Sequence, residues 1–286
     1  MSAQSPGTTI EMPTACIIGW PVAHSRSPAI HGFWLNELGI AGGYVRAPVA
    51  PDQISAFLGA FATSGYVGGN VTMPHKEAAF AAVSDMDETA RAIGALNTLW
   101  IESGKLFGGN TDALGFLANL DEAVENWDKD PGAAVVLGAG GGAQAILFAL
   151  LERGFAPIHL VNRTLERAET LAARFGSAVR PAGWERADRL LGKADLLVNT
   201  TILGMKGSPS PELDLGALPD DAVVTDLVYV PLETPLLAAA RARGLRTADG
   251  LGMLLHQAAP GFERWFGKRP SVSPALRAAV LKTYET

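Results

Sequence analysis

VVLGAGGGAQAI, residues 135–146, is the stretch on which the fold turns. An apolar run, Ala133–Leu137, leads into Gly138, Gly140 and Ala143 at G-x-G-x-x-A spacing, and the chain continues as a helix former. In that context Gly138 permits a tight turn and Gly140 lets the backbone approach a pyrophosphate, whose charge sits on the helix N-terminus. The alternative is an ordinary strand-to-helix turn. Working outward, apolar runs at Ala133–Leu137, Ile158–Asn162, Leu196–Asn199, Ala222–Asp226 and Arg246–Ala248 read as strands. Between them Ala143–Glu152, Thr164–Phe175 and Pro235–Arg243 read as helices. Strands alternating with helices of this length imply parallel βαβ units, so this half reads as a dinucleotide-binding domain. Upstream of the polar stretch 126–132 lies another α/β series. Strands are expected at 15–19, 44–49 and 69–72, and helices at 27–38, 52–61 (capped by Asp52), 74–83 and 111–125. A hairpin, 97–102 with 105–109, closes through Ser103-Gly104. Helices at 253–266 and 274–284 end the chain.

The end of the second nucleotide strand chooses the cofactor. An NAD site usually carries an acidic residue about 20 residues after the glycines, on the ribose 2′-hydroxyl. Here the residues are Asn162, Arg163 and Thr164, with Arg167 one turn later. Two cations suit a 2′-phosphate, and Arg can bond two of its oxygens. Solvated charges at a helix start are the alternative, but cations are unfavourable there, so NADP is expected. Later strand ends add Asn199, Thr200, Thr201, Gly204 and Met205, then Tyr229, then Gly250; these either line a nicotinamide channel or punctuate turns.

Ligands of open α/β sheets bind beyond the carboxyl ends of strands, and the first half places its unusual residues there. Ser25 and Ser27 flank an Arg just before a helix; one hydroxyl suffices for capping, and two can hold a small polyol or carboxylate. Asn70 and Thr72 fall on one face of a strand, and Lys76 follows in a helix first turn, where the dipole disfavours it. Asn97, Asn110 and Asp112 cluster at Gly-rich strand ends, although Asp112 could simply cap the helix it opens. Reducing a carbonyl with hydride creates an alkoxide that needs a proton. A Lys oriented by an Asp can supply it, so Lys76 and Asp112 are the candidate catalytic pair. Gly108, Gly109 and Gly250 stand at element ends, where hinges for domain closure would fall.

Composition excludes other classes. The chain has 286 residues, 48% hydrophobic and 18% charged, and a net charge of −6 without a Lys/Arg block, so a nucleic-acid partner is not expected. Cys16 is the lone cysteine and reads as a buried hydrophobe; no Cys/His cluster suggests a metal. Residues 1–9 are polar, unlike a signal peptide, and no apolar run reaches the roughly 18–20 residues of a membrane span, so a cytoplasmic enzyme with no membrane partner is expected.

Taken in order, IGWPVAHSRSP (18–28), NVTMPHK (70–76), GALNT (94–98), GNTD (109–112), GAGGGAQA (138–145), NRT (162–164), NTTILGM (199–205), DLVYVPLETPL (226–236) and DGLGMLLHQAAPGFERWFG (249–267) resemble the shikimate dehydrogenase family over nearly the whole chain. The resemblance implies a two-domain α/β protein. An N-terminal substrate domain, residues 1–112, would be rejoined by the C-terminal helices of 252–286, and a doubly wound Rossmann-type NADP domain would occupy 113–251. It implies a monomeric or homodimeric enzyme of aromatic amino acid (chorismate) biosynthesis that interconverts 3-dehydroshikimate and shikimate. It implies Lys76 and Asp112 in catalysis, and Ser25, Ser27, Asn70, Thr72, Asn97, Tyr229 and Gln257 at the substrate. It implies Gly138, Ala139, Gly140, Gly141, Gly142, Ala143, Asn162, Arg163, Thr164, Arg167, Thr200, Leu227 and Gly250 at NADP. Two departures are small: Gly32 and Gly142 stand where the family commonly has Asn and Ala. Other readings are a paralogue that oxidises quinate, an aminoshikimate-type dehydrogenase, and a sensor that binds NADP(H) without turnover. Asn162-Arg163-Thr164 speaks against an NAD-using quinate enzyme, and the retained Lys76 and Asp112 speak against a sensor.

Overall fold

The computed structural model describes residues 12–284; the polar stretch 1–9 lies outside them. Two six-stranded sheets are each built from strand–helix units. The first half contains β1 (Thr14–Gly19), α1 (Ser27–Glu37), β2 (Gly43–Pro48), α2 (Ile54–Gly59), β3 (Tyr66–Val71), α3 (Lys76–Ala82), β4 (Asp85–Met86), α4 (Glu88–Ile93), β5 (Thr98–Glu102), β6 (Lys105–Gly109) and α5 (Asp112–Ala123). The second contains β7 (Ala133–Leu137), α6 (Gly141–Glu152), β8 (Ile158–Asn162), α7 (Leu165–Phe175), β9 (Val179–Gly183), α8 (Ala187–Leu191), β10 (Ala194–Asn199), β11 (Val223–Asp226), α9 (Pro235–Ala242) and β12 (Arg246–Ala248). Two helices, α10 (Gly250–Phe266) and α11 (Pro274–Lys282), close the chain.

The first sheet runs β2-β1-β3-β5-β6-β4, with β5 alone antiparallel to its neighbours. Ser103 and Gly104, at φ 51° and 74°, make the β5–β6 turn, as the hairpin reading requires. The second sheet runs β12-β11-β10-β7-β8-β9, wholly parallel. It is the doubly wound order of dinucleotide-binding folds, with β7 leading at the switch point. Buried faces explain the sequence of β7, where Ala134, Val135, Val136 and Leu137 are all fully inaccessible and pack against cores on both sides.

The helix α10 starts against the second sheet and ends against the first. At its start Asp249 caps it by accepting from Leu251 N (3.0 Å), and Asn119 of α5 donates to Asp249 O (2.7 Å). At its end Trp265 Nε1 donates to Leu99 O on β5 (2.9 Å). Gly68 exists to admit that indole, since a Cβ there would lie 2.1 Å from Trp265 Nε1. Among the described residues, no helix is long and apolar enough to cross a membrane.

Two points of the expected fold need correction. Asp52 does not cap α2, which begins at Ile54 after Gln53 with no side-chain cap. The strand β9 and the short elements β4, α4 and α8 are absent from the sequence reading. At Gly108, Gly109 and Gly250 neighbouring groups approach the backbone closely. A Cβ would lie 2.4 Å from Leu96 Cδ2, 2.3 Å from Asp87 Oδ2 and 2.6 Å from Leu227 O respectively.

Candidate active site

Topology alone gathers the candidate residues. Strands β1, β3 and β6 are mutually parallel, so Ser25–Ser27, Thr72–Lys76 and Asn110–Asp112 all follow strand ends on one edge. Because β5 runs the other way, the residue before it, Asn97, reaches the same edge. Asn97 N donates to Gly109 O (3.0 Å), and Val71 N donates to Asn97 O (2.8 Å), which ties it to both neighbouring strands.

Lys76, the first residue of α3, donates from Nζ to Asp112 Oδ2, the first residue of α5. The side chains retain 18% and 10% exposure, so the pair is sheltered yet reachable. Asp112 caps nothing: Asn110 Oδ1 accepts from Asp112 N (2.9 Å), which leaves the carboxylate free for Lys76. Its other oxygen, Oδ1, accepts from Asn97 Nδ2 (2.8 Å). Asn97 is 3% exposed and its amide is fully engaged. Nδ2 also donates to Thr111 Oγ1 (3.0 Å) and Gln257 Oε1 (3.1 Å), while Oδ1 accepts from Thr98 Oγ1 (2.9 Å) and Thr111 N (2.9 Å). One buried amide therefore orients the carboxylate of Asp112 and the side chain of Gln257 from α10. A buried network in which every member is bonded holds a single geometry. Asn70 is similarly consumed: Tyr44 donates to its Oδ1 (2.6 Å), and its Nδ2 donates to Asn97 O (3.2 Å) and Thr98 Oγ1 (3.3 Å). The sequence reading omitted Tyr44, Thr98 and Thr111; the position of Thr111 between Asn110 and Asp112 was its only visible signal.

The serine loop is tighter than a simple cap. Ser25 Oγ accepts from Ser27 N (3.3 Å), and Arg46 on β2 donates to Ser25 O (2.7 Å). Ser27 is buried and Ser25 half-buried. One turn below Ser27, His31 stacks on Tyr44 with ring centroids 4.0 Å apart and faces Phe262. Neither ring nitrogen finds a partner among the described residues, and burial pushes its pKa down to about 3. Thr72 stands beside Gly19, and Tyr229, beyond β11, packs near the start of α1 and the end of the chain.

The nucleotide-side residues also share an edge, beyond β7, β8, β10, β11 and β12. Gly138 has φ +98°, and a Cβ there would lie 2.8 Å from Thr201 Cγ2. Over Gly140 and Gly141 a Cβ would meet nothing within 4 Å, so the helix start is open to a ligand. Ala143 is buried beneath them. Asn162 Oδ1 accepts from Ala139 N (3.1 Å) and its Nδ2 donates to Thr164 O (2.8 Å), bracing the glycine turn to the next loop. Arg163 on that loop and Arg167 in the first turn of α7 are exposed, and neither makes an ion pair among the described residues. Thr200 Oγ1 donates to Leu137 O (2.7 Å), and Leu227 covers Gly142 at 3.5 Å from its notional Cβ. Asn199 belongs to the scaffold and not to a channel: its Nδ2 donates to buried Asp226 (2.9 Å), whose other oxygen accepts from Thr234 (2.7 Å). Open glycines, an anion-favouring helix start and two unpaired cations fit a phosphorylated dinucleotide. Among the described residues no His/Cys/Asp/Glu group could hold a metal.

Residues 17–99 match the shikimate dehydrogenase substrate binding domain, 122–204 the shikimate / quinate 5-dehydrogenase family and 250–280 the shikimate 5'-dehydrogenase C-terminal domain. The chain is 59% identical over 270 residues to the shikimate dehydrogenase (NADP(+)) of Azorhizobium caulinodans, covering 94% of this chain and 96% of that one. The chain belongs to the shikimate dehydrogenase family. Its fold superimposes on shikimate 5-dehydrogenase of Thermus thermophilus, solved with NADP(H) and shikimate, at TM-score 0.83 and 38% identity, covering 95% and 99% of the two chains. It also superimposes on quinate dehydrogenase of Corynebacterium glutamicum, solved with NAD, at TM-score 0.86 and 32% identity, covering 95% and 99%. The backbone leaves room for a Cβ at both departures from the family pattern. A Cβ at Gly32 would meet nothing within 4 Å, and one at Gly142 would make ordinary contact with Leu227.

Proposed function

We propose that this chain is an NADP-dependent shikimate dehydrogenase that reversibly reduces the ring carbonyl of 3-dehydroshikimate. The observation that carries this reading is the sheltered Lys76–Asp112 pair, set by Asn97 at the strand edge of one sheet, in a chain whose other sheet presents an open glycine turn with two unpaired arginines. We take 1–112 with 252–286 as the substrate unit and 113–251 as the nucleotide unit. When bound, NADPH supplies the hydride. Lys76 Nζ gives a proton to the oxygen that becomes the hydroxyl, and recovers it from that hydroxyl in the reverse direction. Asp112 Oδ2 holds the ammonium in place, and Asn97 prevents the carboxylate from turning. Ser25, Ser27, Thr72, Tyr229 and Gln257 meet the substrate carboxylate and hydroxyls, the carboxylate falling to the two serines because Arg26 and Arg46 stand beside them. Asn70 and Asn97 act by positioning, since their amides are already engaged by the protein. Gly138–Ala143 cradle the pyrophosphate together with Thr200, Leu227 and Gly250. Asn162 and Thr164 shape the loop from which Arg163, with Arg167 of the following helix, holds the 2′-phosphate.

The test is nicotinamide absorbance with shikimate or quinate, each with NADP or NAD. Activity concentrated in the shikimate–NADP combination supports the reading. Equal or greater rates with quinate or NAD move the chain to the quinate branch and discredit the role of Arg163. Binding of NADP with no turnover in any combination favours a sensor.

A further inference from the structure

We propose that Arg26, braced against Tyr284, is a specificity residue that makes the serine loop select ring substrates bearing a carboxylate; this rests on Ser25 and Ser27 meeting that group. The chain is acidic overall, with net charge −6. The serine loop is locally cationic all the same. Arg26 sits between the serines, Arg46 bonds Ser25 O from the neighbouring strand, and the first turn of α1 holds no acidic residue. Neither Arg26 nor Arg46 makes an ion pair among the described residues, so no carboxylate of the chain neutralises the loop.

What Arg26 has is an aromatic brace. Its guanidinium carbon lies 5.1 Å from the centre of the Tyr284 ring. That ring in turn stacks on Tyr229, centroids 6.4 Å apart and planes at 28°. Three distant segments thus meet beside the serines: the loop after β1, the end of the chain and the loop after β11. Stacking fixes the face of a guanidinium and leaves its N–H edge free to bond a carboxylate. Arg26 is half-buried and lies against the half-buried phenol ring of Tyr284. Tyr284 Oη is buried without a partner among the described residues. Burial pushes both phenols above their ordinary range, and the charge of Arg26 opposes that push at each, so its field reaches Tyr229. Less water between a cation and an incoming anion means less screening.

The test compares shikimate with its neutral methyl ester, by calorimetric binding and by turnover, for wild type, Arg26→Gln and Tyr284→Leu. For Arg26→Gln the expected result is a Kd and KM for shikimate raised about tenfold, with kcat within about twofold and the ester unaffected. That penalty should shrink between about 0.05 and 0.5 M salt. Tyr284→Leu should give the same pattern at about three- to fivefold, because the cation stays and only its brace is lost. Unchanged shikimate affinity in Arg26→Gln, or equal losses for acid and ester, overturns the proposal. A wild type that binds but does not oxidise shikimate refutes the functional reading, while the acid-to-ester Kd ratios still decide this one. A wild type that binds neither compound refutes both.

Discussion

Replacing Asn97 by Ala should separate the orienting role of the amide from its structural one. The substitution removes the two N–H donors that Nδ2 divides among Asp112 Oδ1 (2.8 Å), Thr111 Oγ1 (3.0 Å) and Gln257 Oε1 (3.1 Å), and strands Thr111 N, which now donates to Asn97 Oδ1. A hydrogen bond to a charged group is worth about 1.5–3 kcal/mol and a neutral one about 0.5–1.5. Such terms are not additive within one network, and water can refill part of the space, so the expected stability loss is about 3 kcal/mol. For a chain of this size that lowers Tm by roughly 6–12 °C. The Asp112 carboxylate also gains freedom to rotate away from Lys76. Loss of about 1.4–2.8 kcal/mol of transition-state stabilisation corresponds to a kcat lower by about 10- to 100-fold. Thermal scans paired with steady-state kinetics at a temperature well below the variant's Tm measure both. A variant that melts early yet keeps kcat within about twofold would refute the claim that Asn97 sets the dyad.

Three further outcomes follow from the same geometry. Arg163→Ala should raise KM for NADP about 10- to 100-fold and leave KM for NAD nearly unchanged, because the residue is exposed and free to bond only the 2′-phosphate. His31, with a pKa lowered by burial to about 3 against 6.5 when unfolded, should make stability pH-dependent. Its contribution is fully present above pH 6.5; as pH falls from there towards 3 the unfolded chain takes up a proton that the folded one refuses, costing up to about 1.4 kcal/mol per pH unit. Denaturant melts across that window should be steep for wild type and flatter for His31→Phe. Cys16 is fully buried, and its thiol is pushed up to about 12, so a chromogenic disulfide reagent should leave it unmodified until denaturant unfolds the chain.

Much of the architecture was legible because periodicity and turn chemistry agreed. The apolar runs of β7, β8 and β10, alternating with helices, point to a parallel sheet, and the glycines at 138 and 140 favour a nucleotide turn over an ordinary strand-to-helix turn. What escaped notice had weak local signals. The strand β9 carries Pro181, which argues against a strand, but it forms the sheet edge, where proline is tolerated. With two residues in β4, six in α4 and five in α8, too little chain remains to show a period. In the site, residue types at strand ends pointed to Lys76, Asp112, Asn97 and the serines. Their bonding could not be foreseen, because it depends on β5 running antiparallel and bringing Asn97 between β3 and β6. Tyr44 was invisible for the same reason: it reads as one more aromatic in a strand until β2 lies beside β1 and its hydroxyl meets Asn70.

The proton carried by Lys76 is the centre of this account. The direct measurement is kcat for Lys76→Met with shikimate and NADP, alongside NADP affinity by calorimetry on the same sample. Positioned acid–base groups contribute about 10²–10⁴ in rate. The expected result is a kcat lower by at least about a hundredfold with NADP affinity unchanged, since Lys76 opens α3 beside the first sheet and the glycine turn belongs to the second. Turnover retained within about tenfold would contradict it and send the search for the proton donor elsewhere.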